Sequence, residues 1–391
     1  MKSFSNMSPS VNPVCHFSEL ALYIHIPFCE RKCHYCDFTS GPVSSASRQT
    51  YLRALKHEIS ISPWRESSAR TVFFGGGTPS ELSISEMLEL VETLGDHFTI
   101  HKDAEWTLEC NPSTATDSSY FVRLLEMGFN RISIGVQSFH DDHLRSLGRI
   151  HNAAQARQTY NWIREAGFDN VNIDLIFSLP EQTLAEWKSD LMEAFQLNPE
   201  HLSLYGLSIE PGTEFGHRHR RGELSELDEN GSADMYNLNM EMTAQTGYFQ
   251  YEISNYARLD RKCLHNLIYW RNEPYLGFGV SAASYLDGLR WRNTENLAAY
   301  IDPVSSPIQR SSSELLSPRE ALGEEIMLRL RMEEGISISK LSYRYSLDVA
   351  SLFSETLKSL RIHGLVTGGL DQVRLTGRGK LLANEVCLQF L

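Results

Sequence analysis

A strand–helix alternation running through the first two-thirds of the chain constrains its fold most. Short β-type runs occur at 21–27 (ALYIHIP), 71–77 (TVFFGGG), 105–112 (EWTLECNP), 130–139 (NRISIGVQSF), 170–180 (NVNIDLIFSLP) and 201–211 (HLSLYGLSIEP). Each is rich in β-branched, Leu or aromatic residues and closes on Gly, Pro or polar residues. Helix-patterned stretches lie between them at 48–60, 83–95, 118–128, 153–167 and 184–195, with apolar residues at helical spacing. Strands separated in this way pair in parallel across helical crossovers. The spacing admits an incomplete TIM-like barrel or a doubly wound open sheet, and in both, ligands gather at the carboxyl ends of the strands. Cys29, the Gly75–Gly77 run, Glu109, Gln137, Asp174 and Ser208 stand at those ends. Polar or Gly residues there, where apolar ones would pack better, predict one shared site.

This α/β core is expected over 20–215, preceded by a short disordered lead-in, 1–19, without the apolar segment of a secretory signal or the Arg-rich character of a transit peptide. After Pro211 the texture changes. A charged, turn-rich surface stretch (216–232) contains the basic run His217, Arg218, His219, Arg220 and Arg221, read as a solvated loop. A helix at about 233–246 and the dense segment CLHNLIYWRNEPYLGFGVSAASY (263–285) complete an extension, 216–302. The Ser/Pro-rich stretch 303–317 reads as a linker to a small domain, 318–391. Helices at 318–331, 337–345 and 350–363, followed by a ribbon from GLVTGG and VRLTGRGKLL, give that domain a winged-helix-like pattern. From residue 339 onward it carries seven Lys and Arg against four Asp and Glu, too few for a DNA-binding face, so a packing or lid role is expected.

The net charge of −13 argues against nucleic acid as a partner and fits a cytoplasmic protein. No run approaches the roughly 18 apolar residues of a membrane span. The cysteines are Cys15, Cys29, Cys33, Cys36, Cys110, Cys263 and Cys387, an odd and scattered set that is poor material for a disulfide framework. Three of them cluster in HIPFCERKCHYCDF (25–38). Closely spaced thiolates suit a soft metal centre, either zinc, with His34, His25 or Asp37 as a fourth ligand, or an iron–sulfur cluster.

The loop Cys29-x3-Cys33-x2-Cys36, directly after a first strand and with Tyr35 before its last cysteine, resembles the signature of the radical S-adenosylmethionine (SAM) superfamily. The resemblance implies an incomplete (β/α)6 barrel with a 4Fe–4S cluster on Cys29, Cys33 and Cys36. It also implies SAM on the open iron, cleaved by a cluster electron to a 5′-deoxyadenosyl radical. FFGGGTPS (73–80) is similar to the glycine motif on which the SAM amino group rests, which implies SAM contacts at Gly76, Gly77 and Thr78. Glu109, Gln137, Arg149 and Asp174 stand where similar proteins contact SAM, Tyr23 matches a tyrosine used beside it, and Ser208 closes the last strand.

HIPFC, GGGTPS, RISIGVQSF, DLIFSLP and the trailing domain together resemble the family of oxygen-independent coproporphyrinogen III dehydrogenase (HemN) and the HemW-like haem chaperones, over about 20–385. Three features favour the chaperone branch over the dehydrogenase. Phe38 stands where the dehydrogenase loop has a fourth cysteine, and only 28 residues precede Cys29. His265-Asn266-Leu267-Ile268-Tyr269-Trp270 matches the HNxxYW motif associated with haem binding, which implies His265 as the haem ligand; Cys263 reads as a buried small residue. Haem-accepting proteins (haem enzymes or cytochromes) are the implied partners. A reductant protein, a peripheral membrane contact, a dimer and residual dehydrogenase activity are left open.

Overall fold

The computed structural model describes residues 19–114, 117–286, 288–302 and 310–391. The expected lead-in lies outside the described residues but for Glu19, as does the linker at 303–309. Six strands, β1 (Leu20–Ile26), β2 (Ser68–Gly76), β3 (Thr99–Cys110), β4 (Arg131–Gln137), β5 (Val171–Phe177) and β6 (His201–Gly206), pair in parallel in chain order. That order decides between the two candidate architectures. A doubly wound sheet reverses direction at a switch point, whereas a sheet growing one way curls into a partial barrel.

Helices α1 (Ser45–Ser60), α2 (Ile84–His97), α3 (Ser119–Glu126), α4 (Asp141–Ser146), α5 (Ala153–Glu165) and α6 (Leu184–Leu197) occupy the crossovers. α2, α5 and α6 start on capping boxes, Ser83 with Glu86, Asn152 with Gln155 and Thr183 with Glu186, which satisfy their first amides locally. Leu22, Val72, Leu108, Ile134, Ile173 and Leu204 belong to the main apolar core.

The rest of the chain widens the sheet on both sides. After α7 (Glu214–Arg220) and α8 (Glu229–Gln245), β8 (Asn255–Ala257) adds antiparallel to β6, and β7 (Phe249–Gln250) pairs antiparallel with β8 at the edge. α9 (Leu264–Trp270) follows. β9 (Tyr275–Phe278) then returns parallel to β1, and β10 (Ala283–Leu286), β11 (Leu289–Asn293) and β12 (Arg310–Leu315) extend that edge antiparallel, making twelve strands in all.

Three expectations are corrected. Residues 310–315 are an edge strand rather than linker; they read as linker because every residue in them is exposed. The basic run belongs mostly to α7, whose start is capped by Thr213 Oγ1, accepting from the Gly216 amide at 3.0 Å. In the C-terminal domain the expected second ribbon strand stops at Leu375; Thr376 then caps a helix over Gly377–Leu381. That domain packs a separate core, including Leu322, Ile326, Val373 and Phe390, around a small three-stranded sheet.

Candidate functional site

The barrel interior is polar because its strands alternate. In β4 the apolar Ile132, Ile134 and Val136 join the core, while Arg131, Ser133, Gly135 and Gln137 face a cavity of about 540 Å³. Asn172, Asp174 and Ile176 of β5, and His201, Ser203 and Tyr205 of β6, line the same cavity. The residues that the resemblance assigns to cluster, SAM and haem are all on its wall: Tyr23, Cys29, Cys33, Cys36, Gly76, Gly77, Thr78, Glu109, Gln137, Arg149, Asp174, Ser208 and His265; Gly75, His25 and His34 are not among its lining. Ser208 is at the exposed rim, where its Oγ donates to Glu210 Oε1 at 2.7 Å.

The cysteine loop leaves β1 and is pinned on several sides. The Cys29 amide donates to Gly41 O at 3.1 Å and the Gly41 amide to Pro27 O at 3.0 Å, closing the loop on itself. The His34 amide donates to Leu147 O at 2.9 Å, and His34 O accepts from the Phe215 amide at 2.8 Å. Arg149 binds the loop to β4, donating through Nη2 to Gly135 O at 2.7 Å and through Nη1 to Cys33 Sγ at 3.4 Å. Cys29 Sγ and Thr78 Oγ1 are 3.4 Å apart. Burial pushes the Cys29 and Cys36 thiols up, as it does any anion-forming group removed from water. The six described cysteines are free of disulfides. Among the described residues no three His, Cys, Asp or Glu side chains converge as a single-ion site. The loop offers three thiols, a donor set that fits an iron–sulfur cluster.

Gly76 and Gly77 form the turn that follows β2. Gly76 has φ +110°, and a Cβ there would fall 2.5 Å from the His25 ring; one on Gly77 would fall 2.6 Å from Phe28 O. The Gly76 amide donates to Glu109 Oε2 at 3.1 Å. Burial, reinforced by Asp174, pushes the Glu109 carboxyl up to about 8. Asp174 is likewise raised by burial and accepts from Asn172 Nδ2 at 2.7 Å and Ser133 Oγ at 3.2 Å. Gln137 has φ +70°, a backbone conformation rare for a side chain of its size.

Comparison with known proteins agrees with this architecture. The profile described as the Radical SAM superfamily matches residues 23–194, and that of the HemN C-terminal domain matches 316–382. The heme chaperone HemW of Bacillus subtilis (strain 168) is 37% identical over 373 residues, 94% of this chain and 98% of the relative. The heme chaperone HemW of Escherichia coli (strain K12) is 34% identical over 382 residues, covering 95% and 98%. The chain belongs to the HemW family, within the radical SAM superfamily. Among solved structures, coproporphyrinogen III oxidase (HemN) from Escherichia coli superposes with a TM-score of 0.83 at 26% identity, over 96% of this chain and 90% of that one.

The HNxxYW segment of this HemW-family chain forms α9, which lies against the barrel wall at β2. Glu105 holds it there, accepting from the Leu264 and His265 amides at 2.9 Å each. The His265 ring is 1% exposed and stacks on Phe73, with centroids 5.0 Å apart. Its Nδ1 is 2.8 Å from Thr71 Oγ1 and its Nε2 is 2.9 Å from the Tyr269 hydroxyl. A neutral imidazole has one donor and one acceptor nitrogen, so in either tautomer no lone pair is free. For His265 to ligate iron, the Tyr269 hydroxyl must leave Nε2. Burial and Arg131 lower the His265 pKa to about 3, so the ring is neutral, as a metal ligand requires. Cys263 is buried and its thiol pushed up by burial to about 12, as expected of a packed residue.

Sequence reading of the strand ends missed the cavity's lower residues, Phe73, Arg131, Ser133, Asn172, His201 and Ser203, and Tyr205 near its rim. Their signal was present. Parallel strands covered on both faces should be apolar throughout, whereas NRISIGVQ and NVNIDLIF place a polar or Gly residue at alternate positions.

Proposed function

We propose that this chain is a radical-SAM-type haem chaperone of the cytoplasm. In this reading it binds a 4Fe–4S cluster, SAM and haem, and passes haem to acceptor proteins, with a reductant protein as electron donor. The observation that carries the reading is the gathering of three free thiols, a glycine turn and four strand-end polar groups on one cavity wall. The names of the relatives support haem delivery as its purpose.

When bound, the cluster and SAM together supply one-electron chemistry. The protein's part is to position them. Cys29, Cys33 and Cys36 hold the cluster, and Gly76, Gly77 and Thr78 offer backbone at close approach to the SAM amino group. Arg149 pairs with the SAM carboxylate. Glu109, Asp174 and Gln137 take its amino and hydroxyl groups, with Tyr23 and Ser208 at the edges. His265 would offer haem iron its Nε2, the nitrogen that the Tyr269 hydroxyl now occupies.

The test is haem titration of the anaerobically reconstituted protein, wild type against His265→Ala. The variant should bind more weakly, and equal affinity would remove His265 as ligand. Cys33→Ala should lose both iron and SAM cleavage; retained cleavage would sink the cluster assignment. The structural likeness to HemN keeps coproporphyrinogen decarboxylation as the second reading. Protoporphyrinogen formed by cluster-loaded protein under anaerobic, reducing conditions would establish it over the chaperone reading.

A further inference from the structure

The cavity runs the length of the barrel, and Arg131 lies at the amino-terminal end of β4, far from the cysteine loop. Gln137, at the other end, is six positions further on, about 20 Å along an extended strand. Arg131 is 2% exposed and lines the cavity. Among the described residues its guanidinium has no hydrogen-bond acceptor and no ion-pair partner, and its Nε is wholly enclosed.

The carboxylates nearby are committed elsewhere. Glu105 gives both oxygens to the amides of α9. Asp174 accepts from Asn172 and Ser133. Both act on Arg131 through space and neither bonds to it. His201 and His265 are kept neutral by burial and by the Arg131 charge, so no second cation shares the floor with them. One further donor is lightly used: Asn266 lines the cavity, and the contacts of its Nδ2, to Tyr251 Oη and Glu252 Oε1, are long at 3.4 Å each. The surrounding anions outweigh burial and keep the guanidinium charged, but its enclosed Nε is left without an acceptor, a donor that a bound anion would satisfy.

We propose that Arg131 anchors a second ligand site on the floor of the barrel, which takes the carboxylate of a small organic acid, with Asn266 as an accessory donor. The planar fork of arginine matches a carboxylate in two-pronged fashion. The through-space presence of Glu105 and Asp174 selects a monoanion and disfavours phosphate, whose second charge they repel. Arg149, the other guanidinium of the cavity, stands at the cysteine-loop end, bonded to Gly135 and Cys33 and assigned above to SAM, so it does not serve the floor.

The probe is sodium propionate, titrated into the full-length protein at constant ionic strength and followed by thermal melting and by saturation transfer to its methyl protons. Wild type should show saturable binding and a rising Tm in the millimolar range. Propionamide, equal in shape but uncharged, should give neither, and phosphate should give neither. Arg131→Gln should abolish the propionate response while keeping the wild-type far-UV spectrum. Arg131→Lys should weaken it by about tenfold, because an ammonium cannot make the forked contact. Equal responses to propionate and propionamide, or no propionate response at tens of millimolar, would overturn the site using wild type alone. An undiminished response in Arg131→Gln would overturn the assignment to Arg131, and a phosphate response equal to propionate would overturn the carboxylate class. None of these readouts involves the cluster, SAM or haem, so their failure and failure of the haem-chaperone reading are told apart.

Discussion

Gly77 is constrained by its own chain before any ligand is considered. A Cβ there would meet Phe28 O at 2.6 Å and Ile26 O at 2.9 Å. These are backbone atoms at the root of the cysteine loop and cannot rotate aside. Gly77→Ala should therefore destabilise the protein by about 1–3 kcal/mol and displace the loop, so that urea melts shift and iron loading falls. Gly41 closes the same loop, yet nothing lies within 4 Å of where its Cβ would be. Gly41→Ala should load iron like wild type; an equal loss in both variants would show that the clash at Gly77 is not what matters. Tyr269 gives a second residue-level test. Tyr269→Phe removes the hydroxyl 2.9 Å from His265 Nε2. If His265 is the haem ligand, the competing bond is worth ~1 kcal/mol, so haem affinity should rise about fivefold. Unchanged affinity in a haem titration would separate His265 from the iron.

α9 shows how far an element can depend on distant sequence. It is seven residues long, too short to be stable by local propensity, and its first amides are held by Glu105, which belongs to β3. Glu105→Ala would leave those buried donors unsatisfied, at about 2–4 kcal/mol, and amide exchange across 264–270 should accelerate more than elsewhere. Uniform acceleration throughout the chain would instead mean that Glu105 supports the whole barrel. The same dependence explains which elements the sequence made legible. The units from β1 to β6 could be read because each carries its own periodicity and end signals. The helix of HNLIYW could not, although the motif itself was evident, because its local cap is a thiol, Cys263, and its first two amides are held by Glu105 of another strand. β12 was read as linker because an exposed edge strand, with both faces in water, has the composition of a loop. The Arg131 end of the cavity escaped for a different reason. Attention to strand ends finds the ligand-facing rim, whereas the floor is visible only in the alternation along the strands.

At the scale of the molecule, the barrel and its β9–β12 extension are joined at a buried carboxylate. Glu58 of α1 accepts from the Gly279 amide at 2.7 Å, from Asn293 Nδ2 at 2.7 Å and from the Tyr300 hydroxyl at 2.6 Å. All three donors belong to the extension, and Tyr51 of α1 adds a bond of 2.6 Å from its hydroxyl to His25 O. Burial pushes the Glu58 carboxyl up to about 7, against the opposing effects of these donors and the Arg310 charge. The unfolded chain releases this proton near its ordinary value of 4.5, so the folded state binds it more tightly. The Glu58 contribution to stability is therefore greatest at acid pH, falls as pH rises from about 4.5 to about 7, and is flat above that, with a span of up to about 3 kcal/mol. Urea unfolding at pH 5 and pH 8 should show wild type losing more stability across this range than Glu58→Gln, which keeps an acceptor in place but does not titrate. Because other groups titrate in both proteins alike, the difference between the two slopes isolates Glu58. Parallel slopes would mean that Glu58 ionises as freely in the folded protein as in the unfolded chain, its three hydrogen bonds fully offsetting its burial.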